Sequence, residues 1–189
     1  STMRLTVFLA LVFLSSSVIS FASFAAEETP LVALDNQTKT LLEGLDDAQK
    51  NEFAAIRNSH GIIRAVEDVQ ASVQRGVLAC GKANADLKDS LDERLSNWRA
   101  AIRPVMKQAQ TKQEKMILLQ SFAKPSVIRS YLKTFDEAVA FRNSAIKEVP
   151  VTERKECESL LKSMDGTQEN LIKLLRENLA LDGTVKIKT

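Results

Sequence analysis

Apolar residues recur along most of this chain at three- and four-residue steps, the spacing that puts them on one face of an α-helix. The clearest run starts after Asp46, where Phe53, Ile56, His60, Ile63, Val66, Val69, Val73, Val77 and Cys80 fall on one stripe. Gly81 follows the last periodic position and Asn84 can cap what comes next, so the spacing predicts a long helix and then a turn. A second stripe runs through Leu87, Leu91, Leu95, Trp98, Ile102, Val105 and Ala109 towards Phe122, and Lys124-Pro125-Ser126 punctuates it. Ile128, Leu132, Phe135, Val139, Arg142 and Ile146 form a third, closed by Val149-Pro150-Val151, because proline disfavours helix at the residue before it. The fourth begins near Thr152 and carries Cys157, Leu160, Leu161, Met164, Gln168, Leu171, Leu175 and Leu179, stopping at Asp182-Gly183. Residues 31–45 predict a shorter helix ended near Gly44.

Four long amphipathic helices joined by short turns pack against their sequence neighbours. The expected fold is all-α: an antiparallel up-down-up-down four-helix bundle over 46–183 with a short extra N-terminal helix in 26–45 and a frayed tail over 184–189. Composition agrees, with 6 Gly, 4 Pro and 5% aromatics among 189 residues.

Pro104 tests that topology. It interrupts the second stripe at a cost of about 3 kcal/mol in a helix interior. A chain reversal there would make five helices in the bundle and send Cys157 to the end opposite Cys80. No Gly, Asn, Asp or Ser adjoins Pro104 and the stripe runs through it from Trp98 to Ala109, so a kink is expected.

The first residues give an address. Arg4 precedes the apolar run Leu5–Leu14, Ser15-Ser16-Ser17 breaks it, and Ser23-Phe24-Ala25 offers small residues at −3 and −1 of a cut before Ala26. Residues 1–25 therefore read as a secretory signal peptide, with Ser1-Thr2 outside the natural chain if Met3 is the initiator. The competing reading is an uncleaved anchor over Leu5–Ala26. Removing 1–25 takes away one of 26 basic residues and none of the 24 acidic ones, leaving a nearly neutral chain. Near-neutrality and export both argue against nucleic acid. The expected location is periplasmic or secreted, with no membrane span after signal removal.

Cys80 closes the first long helix and Cys157 opens the fourth, so the bundle brings both to one end of one core. In an oxidising compartment the pair should form a disulfide; two buried free thiols are the alternative. Val77-Leu78-Ala79-Cys80-Gly81 also resembles a bacterial lipidation motif, but it follows a helix face bearing Arg64, Glu67, Asp68 and Arg75 instead of a signal core. No CxxC pair supports a redox site.

His60 is the only histidine. Counting back along the helices from Cys80 places it near the level of Pro104, where its ring could bond a carbonyl freed at Ala100. A sharper reading pairs His60 with Met106 around a haem iron, making His60, Met106 and Pro104 the candidate ligand-binding set. No CxxCH motif or second histidine accompanies them, so neither a covalent haem nor a metal site is expected. Catalysis lacks a positioned nucleophile and base. Phe141 falls off its stripe and is the candidate surface anchor. The expectation is thus a non-catalytic exported bundle without cofactor, whose partner is another envelope or extracellular protein; a carrier of haem or a lipid-like ligand is the alternative.

Overall fold

The computed structural model describes residues 28–181, so the signal-peptide reading of 1–25 and the tail at 184–189 lie outside the described residues. The described residues form five α-helices and a single 3₁₀ turn, without strands. Helix α1 (Pro30–Leu42) starts with proline at its first turn, where a missing N–H costs nothing, and Thr29 accepts the Val32 N–H at 3.3 Å. Gly44, at φ +76°, turns the chain into the left-handed region that favours glycine. A capping box then opens α2 (Asp47–Ala83): the Asp46 carboxylate accepts the Gln49 N–H at 2.8 Å and the Gln49 side chain accepts the Asp46 N–H at 3.1 Å.

Helix α2 passes through Gly81, where a stop was expected. Gly81 is buried two residues inside the helix end, and a Cβ there would meet Lys88 Cγ at 3.3 Å. Its smallness lets the next helix begin in close contact, and Asn84 makes the break. After a 3₁₀ turn (Ala85–Leu87), α3 (Lys88–Leu119) runs as one helix through Pro104. Helices α4 (Pro125–Ser144) and α5 (Arg154–Asn178) complete the chain.

The core has two parts. Val66 and Val77 of α2, Leu91, Trp98 and Ile102 of α3, and Met164 and Leu175 of α5 build one; all are 0–1% exposed. At the other end Phe53 and Ile56 of α2, Ile117 of α3, and Ile128, Tyr131 and Leu132 of α4 build the second, covered by Leu34, Leu41 and Leu42 of α1. Phe53 packs edge-on against Phe122 and Tyr131 at 5.9 and 5.1 Å, and the Tyr131 hydroxyl lies 2.9 Å from that of Thr38 on α1. Thus α5 belongs with one half of the α2–α3 pair, whereas α4 contacts α1 extensively and α2 and α3 sparsely. The one core expected of the bundle is thus divided into two clusters.

The stripe expected to carry the third long helix to Ile146 ends at Ser144. Ile146 and Val149 are 68% and 84% exposed. After a turn at Ala145, residues 146–153 form a connector without regular structure beside α2, held by polar contacts: Glu148 accepts from Ser72 Oγ at 2.5 Å and from Arg75 Nη2 at 2.6 Å. The connector delivers the chain to Cys157, which is joined to Cys80 with Cα atoms 5.6 Å apart. Both cysteines are fully buried, so the disulfide expected from the stripes is present inside the first core. The Asn84 amide caps this junction, donating to the carbonyls of Cys80 (3.2 Å) and Thr152 (3.0 Å).

Candidate functional site

Three polar residues occupy apolar-stripe positions on three different helices, and the fold brings them together. His60 lies four residues after Ile56 on α2, Gln113 four after Ala109 on α3, and Asp136 four after Leu132 on α4, so each points where its helix points its buried face. The Gln113 amide meets His60 Nδ1 at 2.9 Å, and His60 Nε2 meets Asp136 Oδ1 at 2.7 Å. With Gln113 donating to Nδ1, the Nε2–H donates to the carboxylate, the network itself assigning the tautomer. The imidazole side chain is 14% exposed and stacks edge-on against Phe135 at 5.3 Å; the Asp136 side chain is 39% exposed. The carbonyl near Ala100 is not its partner, a correction that follows from Gln113 and Asp136 filling both ring positions.

Around this triad lie more charges. Arg64 Nε sits 3.2 Å from Asp68 Oδ1 without the alignment of a hydrogen bond, and Asp68 Oδ2 accepts from Asn143 at 3.4 Å. Glu67, exposed by area, has its carboxyl pKa raised above the ordinary 4.5. Desolvation is the largest cause; Asp136 and Asp68 add to it, and Arg64 and His60 oppose it.

Met106, Pro104 and Phe141 are not among the hydrogen-bond or ring partners of His60. Met106 is packed in the core with the disulfide, 8% exposed, and Pro104 is on the surface of α3. Phe141 is 45% exposed. Since both imidazole nitrogens already hold partners, ligation of an iron would have to displace one of them. Among the described residues no three His, Cys, Asp or Glu side chains are grouped to hold a metal. The arrangement binds three helices to one ring; it presents no nucleophile to a base.

Sequence reading missed Gln113 and Asp136, although each carried the same signal as His60, a polar side chain in register with an apolar stripe. It also missed a groove beyond the end of α5, floored by Ala55 and Met116. No protein family, characterised protein or solved structure was found to match the chain.

Proposed function

We propose that the chain is an exported, non-catalytic helical protein that acts by binding another protein of the envelope or exterior. The observation supporting this is the apolar series on the segment from α4 into the connector, where Phe141, Ile146, Val149 and Val151 are 45%, 68%, 84% and 45% exposed. A single exposed valine is ordinary. Four large apolar side chains within eleven positions, on a segment anchored at one end by Leu132 in the core and at the other by Cys157, offer exposed apolar area whose burial would yield about 25 cal/mol per Å². Export is supported by the oxidised cysteine pair, and no described helix is long and apolar enough to cross a membrane. The four longer helices are read as running up-down-up-down, in keeping with ties at successive levels: Arg99 to Gln74, Gln113 to His60, Asp136 to His60 and Cys157 to Cys80.

The test is site-specific photocrosslinking in cells that export the full chain, with the probe at Val149 and, as control, at Ser163 on the exposed side of α5. A discrete protein adduct is expected from position 149 and not from 163, weakened by Ile146→Ser. Equal adducts from both positions, or none, would remove the proposal.

A further inference from the structure

Helix α5 ends before α2 and α3 do, and past its last residues the surface between those two helices is left as a groove. The larger part, about 650 Å³, is lined by Ile62, Met116, Phe135 and Leu179, with Arg57 and Lys112 as its cations. A second part of about 430 Å³ shares Ala55, Lys112 and Met116 with the first and adds Ile56, Lys115 and Leu119. The two parts adjoin at these three shared residues, and each is within the usual volume range for a small-molecule site.

Its charge is one-sided. Arg57, Lys112 and Lys115 face it, and among the described residues none of them has a carboxylate partner. The Arg57 guanidinium lies 6.0 Å from the Phe53 ring centre, and Lys112 Nζ donates to the Ala180 carbonyl at 3.1 Å, which leaves two of its N–H groups to give. Glu52 is the lone acidic residue of the lining, and its Oε2 already accepts the Ser121 N–H at 3.3 Å.

An apolar floor asks for a hydrocarbon, and three cations with no carboxylate partner among the described residues ask for a negative head. We propose that this groove binds a single-chain amphiphile with an anionic head, of the long-chain carboxylate class. Its hydrocarbon lies over Met116, Ala55 and Ile62, and its head is held by Lys112 with Arg57 or Lys115. This site is independent of the protein partner proposed above, which is read from a different segment.

The experiment titrates the full oxidised chain with dodecanoate below micelle formation, following backbone amide shifts and heat of binding. Dodecyltrimethylammonium and acetate serve as controls. Dodecanoate should move the amides of Ala55, Ile62, Met116 and Leu179 and bind at least about tenfold more tightly than either control. Lys112→Glu should lower its affinity at least about tenfold, and Lys115→Glu, at an exposed position, tests the same charge if the first variant fails to fold. Equal binding of the cationic amphiphile, equal binding of acetate, shifts confined to other surfaces, or no binding would each overturn the proposal.

Discussion

His60 Nε2 and Asp136 Oδ1 stand 2.7 Å apart, joining α2 to α4 where the two backbones approach closely at few points. Hydrogen bonds to a charged group contribute about 1.5–3 kcal/mol, and the partial exposure of Asp136 discounts that figure. Asp136→Asn should therefore lower unfolding free energy by about 1 kcal/mol and Asp136→Ala by about 2 kcal/mol. Urea unfolding measures both, and a cycle with His60→Asn isolates the pair. No coupling in that cycle would mean that the contact holds nothing.

The disulfide closes a separation of 77 residues. The double variant Cys80→Ser, Cys157→Ser should be less stable by about 2–5 kcal/mol, partly by releasing the unfolded chain and partly by burying two hydroxyls where the sulfurs stood. Thermal unfolding reads the loss. Cys80→Ala with Cys157→Ala should lose less, and the difference between the pairs separates the polar cost from the crosslink.

Acid acts on two glutamates with opposite signs. The Glu148 carboxyl is held below the ordinary 4.5, chiefly by the Ser72 hydroxyl and then by Arg75. Its contribution is complete above the unfolded value and is lost as pH falls through the lowered one. Glu67 is raised instead, so its charge costs stability at neutral pH, and protonation as pH falls through the raised value returns it. The Glu67 side-chain resonance should thus titrate above 4.5 and that of Glu148 below it, with the Ser72 and Val149 amides following Glu148. Glu148→Gln should abolish that shared low-pH shift; its persistence in the variant would place the connector's acid response elsewhere.

Gly166 and Gly81 are both helical, yet substitution should separate them. Nothing lies within 4 Å of a Cβ at Gly166, an exposed position inside α5, so Gly166→Ala should gain about 0.5–1 kcal/mol by removing backbone freedom from the unfolded state. At Gly81 an added Cβ already touches Lys88 Cγ at 3.3 Å. Gly81→Ala should be near neutral as that flexible side chain shifts, whereas Gly81→Val, with branches directed at the start of α3, should cost about 1–3 kcal/mol. Chemical denaturation of the three variants gives the order.

Periodicity locates the buried face of each helix, and for Cys80 and Cys157 this was enough, because two inward positions at one end of a hairpin-like arrangement have few other places to go. It does not state what covers that face. Leu132 and Ile146 belong to one stripe, but only Leu132 reaches a core: α4 is seated by α1 at its beginning, and by the level of Ser72 and Arg75 the helix has ended and the chain is tied to α2 through Glu148. His60 was visible as an oddity on its stripe. Its partners, 53 and 76 positions away, become a set only when three stripes are superposed in space. Pro104 shows the converse, since an apolar pattern continuing through a helix breaker outweighed the breaker, and α3 is unbroken.

The crosslink between Cys80 and Cys157 encloses α3, α4 and the connector within one covalent ring. A protease that cuts the exposed chain at Lys147, or anywhere else between the two cysteines, opens that ring without releasing a fragment: the piece bearing α1 and α2 stays bonded to the piece bearing α5. Such a nick would be invisible to size separation until the sample was reduced, and the two pieces would keep each other at high local concentration.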